Sequence, residues 1–338
     1  MAKNIKALKR GMQFFSVVLM LLAFVGSIQA AETINLKLSY PVPSTGMIGQ
    51  AYEYFATAVK EESQGQVVVQ TYPSASLVSD REALDAVRKG NVDIAHNMVA
   101  YSTQTIKELT PLEVPGAYLA SNYSLIHEKV DPIVQKIYAK YGVRFLGSYN
   151  PGTLTFDAAK KVKKVIKSPD DMKGLSIRSY GKWPSEAIMG WGGTPTTVPL
   201  GDVTVALDRG TISVIMTGWI IADSFKIHEQ APYITFLDIA TPYQGLIMSE
   251  KAWSQLNDQQ KEAVGRAVKR WQSYAEQILN ESLEKYKQTL KNAGGTGYFL
   301  SKEENSAFLK VVDPIMEKVK QISGPGGEEL IRVLADLR

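Results

Sequence analysis

Two stretches of this chain repeat one unit, and the repeat limits what the chain can fold into. Ala86-Val87-Arg88-Lys89-Gly90-Asn91-Val92-Asp93-Ile94-Ala95 ends at His96-Asn97, and Ala206-Leu207-Asp208-Arg209-Gly210-Thr211-Ile212-Ser213-Val214-Ile215 ends at Met216-Thr217. Each reads as a helix closed by glycine and followed by a strand. Aligning the glycines places Asn97 opposite Thr217, each a small polar residue just past a strand's carboxyl end. Ligands of open α/β sheets sit beyond such strand ends. Two lobes that present them to one cleft describe a ligand-binding clamp.

The same alternation runs through the body. Ile34–Ser39 alternates apolar and polar residues as a strand does, and Pro41, Pro43, Ser44, Thr45 and Gly46 form a loop. Ile48–Glu62 has helical spacing through Ala51, Phe55 and Val59; Gly65 ends it, and Val67–Thr71 is the next strand. Ser79-Asp80-Arg81-Glu82 has the pattern of a capping box, opening a helix that Gly90 closes before a strand at Val92–Ala95. Such alternation argues for α/β lobes with mostly parallel sheets.

A third unit carries the sharpest residue. Ser168-Pro169-Asp170-Asp171 reads as a cap, a proline at the first helical position and acids at the positive end of a short helix. Gly174 stops it, Leu175-Ser176-Ile177 is a strand, and Arg178 stands at its end before Tyr180-Gly181-Lys182-Trp183-Pro184 and a further helix. An arginine at a strand end beside a cleft can clamp a carboxylate with two parallel hydrogen bonds. A surface or interlobe ion pair is the commoner fate of an arginine so placed.

In the C-terminal third, Asn257 with Gln260 gives a cap pattern. Apolar residues then recur at Val264, Ala267, Trp271, Ala275, Ile278, Tyr286 and Leu290 until Gly294-Gly295. One helix over that span would be roughly 50 Å long at ~1.5 Å per residue, enough to run along both lobes. Two helices with a break are the alternative. The stripe through Trp271 reads as core.

The N-terminus is an address. Lys3–Arg10 is basic, Phe14–Val25 is apolar except for Ser16, and Gly26–Ala31 is small and mildly polar. This is a secretory signal pattern with cleavage expected after Ala30. The apolar run is shorter than the ~20 residues of a spanning helix, so residues 1–30 are expected to be removed and the mature protein to be soluble in the periplasm. The formal net charge of +4 resides in Lys3, Lys6, Lys9 and Arg10; the remaining chain carries as many acids as bases. A neutral body gives no support for nucleic-acid binding.

Cysteine is absent, which excludes disulfides, thiol chemistry and a lipoprotein anchor, and His96, His127 and His228 lack the spacing of a metal motif. No metal or other cofactor is expected. A secreted hydrolase would need a nucleophile with its base, or paired carboxylates. There is no G-x-S-x-G or H-E-x-x-H, and Asp157 and Glu113 read as isolated acids. The hydrolase and a ligand-sensing partner of a membrane receptor remain the alternatives to transport.

Several segments together resemble the DctP-like periplasmic solute-binding proteins of tripartite ATP-independent periplasmic (TRAP) transporters. They are Glu61-Glu62-Ser63-Gln64-Gly65-Gln66-Val67, Tyr72-Pro73-Ser74 through Glu82, Asp171-Met172-Lys173-Gly174-Leu175-Ser176-Ile177-Arg178, Gly193-Thr194-Pro195, Ala206–Gly210 and Trp253-Ser254-Gln255-Leu256. They occur in family order from about Ile34 to the C-terminus, and the segment ending in Arg178 is the specific one.

The resemblance implies an α/β protein of two lobes with a hinge and a long shared helix. Lobe I would take residues 31–150 and 243–285, and lobe II residues 151–242 and 286–338. It implies a non-enzymatic monomer that captures a small organic acid and delivers it to TRAP permease membrane subunits. The family's carboxylate arginine falls on Arg178 and its second polar anchor on Thr217, where the family's Asp-Gly and Asn are missing. A further arginine of sialic-acid-type members falls near Thr153, after Tyr149-Asn150, and is missing too. Both departures argue against a sialic acid or another highly charged ligand. Other pocket positions fall near Pro41, Asn97, Met98, Tyr101 and Tyr243. With Tyr40, Tyr180, Trp183 and Trp219 at strand ends or loops, one cation among aromatic walls favours a monocarboxylate with an apolar or ring-bearing body.

Overall fold

The computed structural model describes residues 33–240 and 242–338; the expected signal segment lies outside the described residues. The strands are β1 (Ile34–Ser39), β2 (Val67–Tyr72), β3 (Ile94–Met98), β4 (Val143–Ser148), β5 (Thr153–Ala158), β6 (Ser176–Ser179), β7 (Thr194–Thr197), β8 (Val214–Gly218), β9 (Tyr233–Ala240), β10 (Gln244–Ser249) and β11 (Thr296–Phe299). They form two sheets, ordered β2-β1-β3-β10-β4 and β11-β9-β5-β8-β6-β7.

Both sheets are mixed, whereas the sequence predicted mostly parallel ones. β1 runs parallel to β3, and β6 runs parallel to β7 and β8. β10 is antiparallel to β3 and β4, and β5 is antiparallel to β8 and β9. The physical reason is the path of the chain. It leaves β4 at Ser148 and enters β5 at Thr153, then leaves β9 at Ala240 and re-enters the first sheet at Gln244. These short links join the sheets at the carboxyl ends of β3 and β8, so the strands they feed must run the other way.

Among the helices, α1 is Met47–Glu62, α2 Ala83–Arg88, α3 Lys182–Gly190, α4 Val203–Asp208, α5 Asp258–Asn292 and α6 Val312–Ala335. The repeated unit is real: α2 and α4, then β3 and β8, have the same boundaries relative to Gly90 and Gly210. Those glycines have φ of +70° and +71°, the left-handed turn that releases each helix into its strand.

The C-terminal pattern resolves into one helix of 35 residues, α5, started by an Asn257–Gln260 capping box. Its Trp271 packs on Tyr52, Phe55 and Tyr149 beside the first sheet, and its Tyr286 stacks on Trp219 beside the second. It therefore spans both sheets. α6 is broken at Gly324, at φ +63°, before Pro325, which has no N–H to continue the ladder.

One expected cap is absent. Ser79 Oγ donates to the Glu82 carboxylate at 2.5 Å, and α2 begins only at Ala83 with no side-chain cap. Asp80 is bonded to His96 instead, and that tertiary bond holds the segment out of the helix. The Ser168–Asp171 capping box does form, on a 3-10 turn at Pro169–Met172.

Candidate functional site

The carboxyl ends of β3, β6 and β8 and the two links between the sheets converge on a cavity of about 350 Å³. The repeated unit contributes Met98 from one side and Thr217 with Gly218 from the other. Asn97, the sequence equivalent of Thr217, is turned into the core, where its Oδ1 accepts from Ser102 Oγ at 3.0 Å and from the Tyr138 hydroxyl.

Arg178 borders this cavity from β6 and is 3% exposed. Its Nε donates to the Val198 carbonyl at 3.0 Å and Nη1 to the Met216 carbonyl at 3.2 Å. These two carbonyls fix the guanidinium plane but bring no net charge. No carboxylate lies within ion-pair distance of Arg178 among the described residues. Burial lowers its pKa; Tyr101 and Tyr180 oppose that, and the Arg81 charge adds to it. A buried, oriented cation without a counter-ion is suited to receive an anion, because an anion would compensate the charge that burial has desolvated.

The facing wall is polar along Ser74, Ser79, Asp80, Arg81, His96 and Gln244, so Arg81 is a second cation at a cavity expected from sequence to have one. His96 Nδ1 lies 2.7 Å from Asp80 Oδ1 and its Nε2 2.9 Å from Gln244 Oε1, and all three residues border the cavity. Burial alone would lower the His96 pKa; the Asp80 carboxylate and the Gln244 amide turn it above its ordinary value and favour the protonated ring. Ile48, Tyr52, Tyr101, Tyr149, Ile221 and Phe225 supply most of the remaining wall. The Tyr52 and Tyr149 hydroxyls are buried without a hydrogen-bond partner among the described residues. Arg81 lies over the Tyr101 ring at 4.7 Å.

Of the residues expected from sequence, Arg178, Thr217, Tyr101, Tyr149, Tyr180, Pro41 and Met98 border the cavity. Trp183 borders an adjoining polar cavity of about 460 Å³, which shares Arg81, Tyr101 and Tyr180 with the first. The others do not border the first cavity. Tyr40 donates to Glu53, Tyr243 donates to Asp131, and Trp219 stacks on Tyr286. Asn150 Oδ1 accepts from the Gly152 N–H, and Thr153 Oγ1 is buried in β5.

Tyr52, Asp80, Arg81, His96 and Gln244 were not among the expected residues. Asp80 and Arg81 sat inside an apparent capping box, and Tyr52 inside a helix whose spacing was read through Ala51, Phe55 and Val59. Only the position of His96, one residue before Asn97 at a strand end, pointed toward the cavity.

The chain matches the model of the DctP family, bacterial extracellular solute-binding protein, family 7, over residues 38–322. It is 24% identical over 302 residues to the C4-dicarboxylate-binding periplasmic protein DctP of Rhodobacter capsulatus, covering 87% of this chain and 89% of that protein. The fold is similar to that of a TRAP periplasmic solute-binding protein from Chromohalobacter salexigens with bound d-glucuronate. The TM-score is 0.82 at 20% identity, over 90% of this chain and 100% of the other. It is also similar to DctP7, a Bordetella pertussis extracytoplasmic solute receptor binding pyroglutamic acid, with a TM-score of 0.81 at 17% identity over 90% and 100% of the two chains.

Proposed function

Because the chain belongs to the DctP family of bacterial extracellular solute-binding proteins, which serve TRAP transport and not catalysis, we propose that it captures a small organic acid on Arg178 and delivers it to membrane permease subunits. One observation carries this reading: a buried guanidinium, held by two carbonyls and unmatched by any acid among the described residues, borders a mostly apolar cavity. The ligand is a monocarboxylate with an apolar or ring-bearing body. Two similar structures are described with d-glucuronate and pyroglutamic acid, each of which carries one carboxyl group; the similarity to the dicarboxylate-binding DctP keeps two-headed acids in the test.

The family is periplasmic, and we place the mature chain there after removal of the signal segment, working as a monomer. The two sheets are the cores of two lobes. Residues 31–150 with 243–285 build lobe I, and residues 151–242 with 286–338 build lobe II. The crossings Tyr149–Thr155 and Ile239–Gln244 act as the hinge.

A thermal-shift screen of monocarboxylates, dicarboxylates and sulfonates tests the ligand class. An acid present at 100 times its dissociation constant adds ~2.7 kcal/mol of stability. Stabilisation by dicarboxylates alone would remove the monocarboxylate reading, and stabilisation only by uncharged solutes would remove the acid.

A further inference from the structure

Glu113 sits where the two sides of the cleft meet, outside the ligand cavity. It ends the 3-10 turn Lys107–Glu113, in the segment between β3 and β4 of the first sheet, and is 3% exposed. Its two oxygens are divided between the two sides. Oε2 accepts from Thr103 Oγ1 at 2.8 Å, two residues beyond Tyr101. Oε1 accepts from the Trp183 N–H at 3.3 Å, in the first turn of α3, which follows Arg178 and Tyr180 of the second sheet.

Gly181 fits this contact. Its φ of −175° suits any residue, but a Cβ there would lie 2.3 Å from Glu113 Oε1. The approach of the carboxylate, and not the backbone conformation, excludes a side chain. Ser179 Oγ and Ser185 Oγ both donate to the Gly181 carbonyl, at 2.9 and 2.8 Å, and so brace the turn that follows Arg178 and Tyr180.

A carboxylate this buried needs compensation. Burial raises the Glu113 pKa, while the Thr103 hydroxyl, the Trp183 and Lys182 N–H groups and the more distant Lys107 draw it back. A solvent-facing side chain would cap α3 at less desolvation cost. What the buried position adds is a link between the wall bearing Tyr101 and the wall bearing Arg178 and Tyr180. These two tyrosines border both the ligand cavity and its polar neighbour.

We propose that Glu113 is a positioning residue for ligand binding: one carboxylate ties both walls of the cleft neck and sets the closed geometry in which Arg178 and Tyr101 meet the ligand. The proposal rests on the cleft assigned above and not on the identity of its ligand.

The absence of cysteine allows a test without ligand. Leu77, between β2 and β3, and Val205, in α4, are 38% and 47% exposed. Leu77→Cys and Val205→Cys carry nitroxide labels, and pulsed dipolar spectroscopy reads the distance between the two sides. Glu113→Ala is expected to raise the open-to-closed ratio about tenfold, the scale of one hydrogen bond to a charged group. Glu113→Gln keeps an acceptor for Trp183 and offers Thr103 a donor, so it stays within about threefold of wild type. Gly181→Ala opens the cleft while Glu113 is present and adds nothing to Glu113→Ala, because the atom its Cβ strikes is gone. If Glu113→Ala does not fold, Gly181→Ala and Glu113→Gln still decide the matter. Wild-type distances in folded Glu113→Ala or in Gly181→Ala, or an equal effect of Gly181→Ala in both backgrounds, would overturn the proposal. These distances do not depend on whether Arg178 binds a carboxylate, so failure of the ligand reading is seen separately in the thermal-shift screen.

Discussion

Arg178 reaches across the parallel β6–β8 pair and donates Nη1–H to the carbonyl of Met216 at 3.2 Å. Met216 immediately precedes Thr217, so the cation and the small polar residue at the end of β8 are held in one register. The guanidinium is oriented before any ligand arrives, which lowers the entropic cost of binding.

Removing that cation should be the most costly change in the cavity. Arg178→Ala is expected to cost about 3–5 kcal/mol of binding free energy, roughly 10²–10⁴-fold in Kd. Arg178→Lys should recover little, since a point charge has no planar fork. Thr217→Ala should cost ~0.5–1.5 kcal/mol, one neutral hydrogen bond. Calorimetry with the best acid from the screen gives the order. A folded Arg178→Ala that binds within about threefold of wild type would make Arg178 a structural residue.

Asp157 should make stability fall as pH rises. It is fully buried in β5, and neither carboxylate oxygen has a hydrogen-bond partner among the described residues. Burial pushes its pKa from 3.8 up to about 7. The folded protein therefore keeps a proton that the unfolded chain releases. The contribution is fully present below about pH 3.8 and is lost as pH rises through about 7. At ~1.4 kcal/mol per pH unit the loss is up to ~4 kcal/mol. Chemical denaturation of Asp157→Asn and wild type between pH 4 and pH 8 should show the variant gaining relative stability as pH rises. Parallel curves would rule this out.

Asp131 should hold the chain at both links between the sheets. It accepts from the Ser148 N–H at 3.1 Å and Ser148 Oγ at 2.7 Å, at the end of β4, and from the Tyr243 hydroxyl just before β10. Gln272 of α5 adds a fourth donor at 3.3 Å. Asp131→Ala strands several buried donors, and a loss of about 2–4 kcal/mol is expected from thermal or urea unfolding. A loss under ~0.5 kcal/mol, the usual effect of a surface substitution, would show that the links do not depend on it.

Closure on ligand is expected from the two short links, which leave few backbone torsions to absorb a relative rotation. Small-angle scattering with and without the bound acid should show a smaller radius of gyration in the complex. Confirmed binding with an unchanged radius would mean that the resting protein is already closed.

Local sequence determined the elements that depend only on near neighbours. The glycine turns of the repeat, the Asn257–Gln260 cap and the long apolar period up to Leu290 appear as read, because period, caps and left-handed turns are set within a few residues; the repeat's strands run further than read, to Met98 and Gly218, and so include Asn97 and Thr217. Arg178 was legible for the same reason: it lies near the end of a strand that a proline-capped turn and Gly174 delimit, although the strand runs one residue further, to Ser179. Which polar and aromatic side chains would face the cavity was not. Tyr40, Tyr243 and Trp219 stand at strand ends or links as Tyr149 does, yet Glu53, Asp131 and Tyr286 draw them into the core. The Asp80–His96–Gln244 arrangement joins residues separated by 16 and 148 positions, and the bond to His96 displaces a cap that sequence alone favours. The direction of β5 and β10 was likewise decided by where the short links enter the sheets. These choices depend on packing and polar satisfaction between distant segments, which only the tertiary structure brings together.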